Sequence, residues 1–303
     1  MFGWGLVCGG VAVVLAAVGI VPPGNAVEER ASAACTIDVG SVTAAGGHAY
    51  HRVTAGAPPT MVAVGNRTAG AVYGPGQVRL STTFLNERDI FSFTAVVGWV
   101  VQGDTLYRSG YGLDNVGQLT DPPFLMRIGG GWTNYKFVEE AEYDEVEHAP
   151  PIRTYEYGLR NDGLLMRWLN TNDVWRRSLG GVGFEAVKTM ALISKTRTHD
   201  TFLATTRGGG LYTIRINVVP SFEVKKVRAS TWQVFETLLA AKCGLSGTLL
   251  LGIDKDTQSG YLYAVGHANG AATVIRSLGK VQGTFGDPVY FRWRLAFDPL
   301  NGG

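Results

Sequence analysis

A single phrase recurs along this chain at intervals of about fifty residues, and it limits the possible folds more than any other feature. In each copy a polar and an aliphatic residue precede a Gly-rich turn and an aromatic segment. A hydrophobic strand, a Gly turn and a second hydrophobic strand follow. The clearest copy opens at Arg127-Ile128-Gly129-Gly130-Gly131-Trp132 and closes with the strand pair around Asp162-Gly163, between Tyr155 and Trp168. The aliphatic anchors Ile128, Leu179, Val227 and Leu278 are 51, 48 and 51 residues apart, and one further step back lands on Val78. A unit of this size makes one small twisted sheet, which cannot bury both faces by itself, so neighbouring units must cover one another around an axis. The last period is short by roughly half a unit. The segment from His48 to Gly76 can supply the missing part, with strands at Met61–Val64 and Ala71–Tyr73. The expected fold is therefore all-β: a five-bladed β-propeller closed by its N- and C-terminal strands. Six blades is the alternative, should the insertion at 138–152 carry further structure.

Composition agrees with many short strands. Gly accounts for 41 of 303 residues, and hydrophobic residues for 46% against 17% charged, which excludes a disordered chain. The 27 basic and 25 acidic side chains leave a net charge of +2, too little for the electrostatic footprint of a nucleic-acid binder. Trp4 to Ile20 is an apolar run of the kind found in a signal-peptide core, with cleavage expected after Ala26 or Ala33. Residues 1–33 then form a signal peptide, residues 34–303 a single domain, and the protein is secreted. An uncleaved N-terminal membrane anchor is the alternative; no second membrane span follows. With Cys8 in the export segment, Cys35 and Cys243 remain as a pair in an oxidising compartment, and a disulfide between them is expected.

From Arg127 to Phe137, and especially at Gly130-Gly131-Trp132-Thr133-Asn134-Tyr135, the chain resembles the tachylectin-type five-bladed propeller lectins. The resemblance extends unevenly over residues 78 to 291. The chain departs from the blade pattern at Gly183-Phe184 and Gly283-Thr284-Phe285, where Phe stands in the Trp position. The resemblance implies a lectin for glycans containing N-acetylhexosamine (GlcNAc or GalNAc), with Trp132, Asn134 and Asp162 as ligand-binding residues and Trp232 and Gln233 as their equivalents two blades on. A flat indole covers the C–H face of a pyranose, and amides or carboxylates pair with its hydroxyls. Trp132, Phe184, Trp232 and Phe285 also recur at the repeat period, so packing wedges between blades is the competing role.

Two other functional classes stay open: a structural or protein-binding propeller with a cell-surface partner, and a glycoside hydrolase or lyase with carboxylates at the axis, for which Asp89, Asp104 and Asp287 are candidates. No cofactor-binding motif and no nucleophile constellation is present. The acidic run from Glu139 to His148 reads as a solvated loop insertion, with a cation site as the alternative. Asp254, Asp256 and Gln258 read as a hairpin turn. His48 and His51, three apart on a strand, should face opposite sides, and Asn66-Arg67-Thr68 is a glycosylation sequon.

Overall fold

The computed structural model describes Met1 and residues 35–64, 70, 72–88, 94–146, 150–295 and 297–303. The apolar run Trp4 to Ile20 with its expected cleavage sites, Cys8, the Asn66-Arg67-Thr68 sequon, Asp89 and His148 lie outside the described residues.

The chain is a succession of antiparallel strands. β1 (Thr36–Val42), β2 (His48–Thr54) and β3 (Thr60–Ala63) form a meander. β4 (Val78–Ser81) and β5 (Phe84–Arg88) both pair with β6 (Thr94–Gln102), which leads through β7 (Thr105–Leu113) to β8 (Phe124–Gly129). Three four-stranded sheets follow. The first is β9 (Tyr135–Tyr143), β10 (Arg153–Arg160), β11 (Leu165–Thr171) and β12 (Val174–Gly181). The second is β13 (Val187–Lys195), β14 (His199–Thr206), β15 (Leu211–Asn217) and β16 (Ser221–Arg228). The third is β17 (Thr237–Cys243), β18 (Gly247–Asp254), β19 (Ser259–Val265) and β20 (Ile275–Lys280). Finally β21 (Val289–Arg294) returns to β1 and pairs antiparallel with it, from Val42↔Val289 to Val39↔Arg292. β21 also touches β5 in parallel at Trp293↔Phe84, which joins two sheets into one nine-stranded surface.

The first strands of successive sheets meet in cyclic order: β4 with β9, β9 with β13, β13 with β17, β17 with β21, and β21 with β4. This is the arrangement of a β-propeller, in which sheets pack face to face around an axis and the inner strands line it. The first and second strands of the later sheets, such as β13, β14 and β18, are buried along nearly their whole length, and their apolar side chains fill the seams between sheets. Between the first two sheets pack Phe84, Val96, Tyr111, Phe291 and Trp293; between the last sheet and the first, Ile37, Val53, Leu251, Ile253 and Phe285. Cys35 and Cys243 are bonded across that second seam, their Cα atoms 5.4 Å apart.

The repeat anchors Ile128, Leu179, Val227 and Leu278 fall in the outermost strands β8, β12, β16 and β20. Val78 does not; it opens the inner strand β4, because the long β7–β8 connection stretches that unit beyond the period. Closure also differs in detail from the expectation. β1, β2 and β3 supply it, whereas Val72 and Tyr73 form a bend whose N–H groups donate to the Gly46 carbonyl (3.1 and 2.9 Å). Gln233 to Phe235 form a turn ahead of β17 and no strand.

The acidic run is the largest correction. Glu139, Glu140 and Glu142 belong to the inner strand β9, with cations from distant parts of the chain beside them. Glu139 accepts the Thr83 N–H at 2.8 Å, and Arg294 reaches Glu140 and Glu142 at 3.3 and 3.1 Å. Next to them Arg292 holds Asp298 through two hydrogen bonds (2.8 and 2.6 Å) and Lys195 approaches the same carboxylate at 3.3 Å. Burial alone would raise the Asp298 pKa, but Arg292 and Lys195 hold it well below the ordinary carboxylate range.

Candidate functional site

Each sheet is joined to the next by one repeated device. The hairpin turn between its second and third strands offers a carbonyl to the backbone N–H of the aromatic residue that leads into the next sheet. The pairs are Trp132 to Asp104, Phe184 to Gly163, Trp232 to Gly209 and Phe285 to Gln258, all between 2.9 and 3.1 Å. A cation at the start of three inner strands reinforces the joint. Arg79 donates to the carbonyls of Trp132 and Tyr135 (2.5 and 2.6 Å), Lys136 to those of Val187 and Glu185 (2.6 and 3.3 Å), and Lys188 to that of Gln233 (2.5 Å). The four aromatic side chains are all buried, Trp132 at 6% exposure and Trp232 at 5%, and they wedge the seams.

At the joint between β8 and β9 the wedge forms part of an open aromatic cleft. A cavity of about 210 Å³ lies between the Gly129-Gly130-Gly131 backbone and the rings of Trp132, Tyr135, Trp168 and Trp175. Trp132 lies 4.4 Å from Tyr135 and 5.7 Å from Trp168 by ring centroid, and Trp168 lies 5.8 Å from Trp175. Trp168 and Trp175 share one face of the β11–β12 hairpin. Its turn residues Asn172 and Asp173 have φ of 50° and 64°, the left-handed pair that closes a tight hairpin. Gly158, on β10, provides room for the floor: a Cβ there would meet the Tyr135 ring at 2.8 Å and Trp168 at 3.1 Å.

The Gly-rich wall is fixed by Asp104. Its carboxylate accepts the Thr133 hydroxyl (2.6 Å) and the N–H groups of Gly131 and Thr133 (2.9 and 3.0 Å). Those bonds, the Thr133 hydroxyl first, hold its pKa down at about 2. Asp104 therefore organises an exposed turn. Asp287 takes the Ser41 hydroxyl at 2.5 Å, next to the β1–β21 closure.

Of the residues expected to bind ligand, Trp132 alone lines the cleft, and Asn134 and Asp162 lie beside it without lining it. The Asn134 carbonyl accepts the Asn161 N–H at 2.7 Å, and exposed Asp162 pairs with Arg160 at 2.6 Å. Arg160, Asp162 and Arg177 all act electrostatically on Tyr135, whose phenol is raised chiefly by burial. Trp232 and Gln233 lie two joints away. Trp232 packs on Tyr263 at 4.8 Å, and Gln233 is exposed beside Gly209. Trp168 and Trp175 are not singled out by sequence reasoning. Their signal is the Asn-Asp turn, which sets two Trp seven apart on one hairpin face.

No protein-family profile matches the sequence, and no curated protein matches it. Solved structures do. The lectin of Aleuria aurantia, described as a six-bladed β-propeller with a novel fucose recognition mode, is 10% identical with a TM-score of 0.50, over 81% of this chain and 78% of that one. A point mutant of the same lectin in complex with Fucα1-6GlcNAc gives 11%, 0.48, 80% and 78%. The α-L-arabinofuranosidase PaAbf62A of Podospora anserina gives 10%, 0.46, 74% and 77%. At these identities the likeness is one of fold, the β-propeller.

Proposed function

We propose that this chain is an exported five-bladed propeller that binds carbohydrate in the cleft of Trp132, Tyr135, Trp168 and Trp175. The cleft itself carries the reading: four aromatic rings line a cavity of about 210 Å³, with Arg160, Asp162 and Arg177 near the Tyr135 phenol. Aromatic faces suit the C–H surface of a sugar ring, and the charged groups beside them suit its hydroxyls. Five blades are supported by the cyclic contacts of β4, β9, β13, β17 and β21. Export is supported by the Cys35–Cys243 disulfide, since such bonds persist in oxidising compartments. A propeller fold shared with lectins agrees with the reading.

The tachylectin-like phrase around Trp132 makes an N-acetylhexosamine the expected sugar, and fucose, named for the Aleuria lectin, is the comparison ligand. Glycan-array binding of the purified protein tests the proposal. Trp168→Ala and Trp175→Ala should each weaken the retained glycan about tenfold while leaving the far-ultraviolet spectrum unchanged. A folded protein that retains neither sugar, nor any other glycan on the array, would sink it.

A further inference from the structure

The inner strands begin around a second cavity, of about 150 Å³, at the mouth of the ring. It is lined from all five sides, by residues of β4, β9, β13, β17 and β21 and of adjoining segments, with Lys255 reaching in from the β18–β19 turn. Its charges are unbalanced. Arg79, Lys136 and Lys255 line it, and each hydrogen bond their side chains make goes to a backbone carbonyl; Lys255 donates to that of Pro288 at 2.5 Å. Two acids share the cavity, and both are engaged. Glu236 takes the Lys188 ammonium at 2.5 Å and the Lys255 backbone N–H at 2.8 Å. Glu139, deeper down, accepts the Thr83 N–H and hydroxyl, with Arg292 acting on it electrostatically. The Asp104 carboxylate acts electrostatically on Arg79, those of Glu185 and Asp162 on Lys136, and that of Glu236 on Lys255, without a hydrogen bond to any of these side-chain cations.

An ammonium with one or two carbonyl partners keeps its charge and at least one free N–H. Burial, with Arg207 nearby, pushes Lys136 down to about 8. The lining holds three cations against two carboxylates, and those two already face Lys188 and Arg292, which leaves an excess of positive charge; Ser81, Thr189 and Thr237 add hydroxyls to the same wall. We propose that the ring mouth binds an acidic sugar of the uronate type, its carboxylate held by Lys136, Arg79 and Lys255 and its hydroxyls by the Ser and Thr side chains. Charge-assisted bonds from ammonium and guanidinium groups to a carboxylate are the strong class, and they are strongest where burial limits screening by salt. The inference does not rest on the aromatic cleft, with which it shares no side chain.

Calorimetric titration of the whole protein with D-glucuronate and with D-glucose tests it. Glucuronate should bind, more weakly as salt rises, and glucose should bind far less. Lys136→Gln should cost about tenfold in affinity. If Lys136→Gln does not fold, Lys255→Gln, at an exposed position with a single carbonyl bond, carries the same expectation. Bound glucuronate should also raise the Lys136 pKa, read by NMR at its ε-carbon. Competition by inorganic sulfate would support an oxyanion site. Three results overturn the proposal: no glucuronate binding, equal binding of glucose, or affinity unchanged in the lysine variant that folds. Trp168→Ala should leave glucuronate binding intact; its loss there would move the site to the cleft and refute the assignment to the mouth, whatever the glycan array shows.

Discussion

His48 illustrates how much a single side chain can ask of this fold. It is 3% exposed, ringed by Tyr73, Phe84, Tyr111, Phe291 and Trp293, and its Nδ1 meets the Tyr111 hydroxyl at 2.8 Å. Burial lowers its pKa from 6.5 to about 3. Above about pH 3 the imidazole is therefore neutral in the folded protein, and it takes up a proton on unfolding between about pH 3 and pH 6.5. Its contribution is whole above pH 6.5 and is lost as pH falls towards 3, by about 3 kcal/mol at pH 4 as an upper value. Urea unfolding at pH 7 and pH 4 should show a smaller acid loss in His48→Phe than in the wild type; equal losses would refute the attribution. Sequence reasoning places His48 on a strand but has no means of seeing its aromatic cage, whose members come largely from β5, β7 and β21. The same holds for the carboxylates of β9. A run of Glu looks solvated when its partners, Arg292, Arg294 and Lys195, lie roughly 50 to 150 residues away in the chain.

Strands here depend on glycines that let an aromatic ring lie flat on the sheet. Gly98, in the middle of β6, sits under Phe84 of β5, and a Cβ at that position would come within 2.6 Å of two ring atoms. Gly98→Ala should cost about 1 to 3 kcal/mol by overpacking, whereas Gly208→Ala, with nothing within 4 Å, should be near neutral. Their urea midpoints compare the two directly, and an equal shift in both would exclude ring contact as the cause. At this scale much is readable from the chain alone. The anchors of the outer strands and the hairpin glycines at 103, 163 and 209 recur because every sheet needs a left-handed residue at the same turn. The inner strands are harder to read. Their sequences, from the split β4–β5 to the acidic β9, answer to the axis and not to a shared template, so a period drawn through Val78 slips.

Across the whole molecule, closure and cross-link both secure the first sheet, β1–β21 pairing within it and the disulfide tying it to the sheet of β17 to β20. The hydrogen bonds of β1 with β21 and the Cys35–Cys243 bond both tie residues near the start of the domain to sheets made much later. The bond spans a sequence separation of 208 residues, and the chain-entropy model gives such a loop up to roughly 5 kcal/mol. Replacing both cysteines by Ser should lower the thermal midpoint by several degrees while leaving the strand spectrum intact; an unchanged midpoint would mean that the seam needs no cross-link. The pairing is legible because only two cysteines follow the N-terminal apolar run, and the ring is legible because half a unit is missing. Which strands fill the gap is not, since β1, β2 and β3 lie outside the repeat. There is a consequence for biosynthesis. β1 leaves the ribosome ahead of every other strand described, yet its neighbour β21 is translated last of them, so the nascent chain carries an unpaired, adhesive edge for almost the entire elongation time. Such an edge needs shielding, by a chaperone for example, until the final strand arrives.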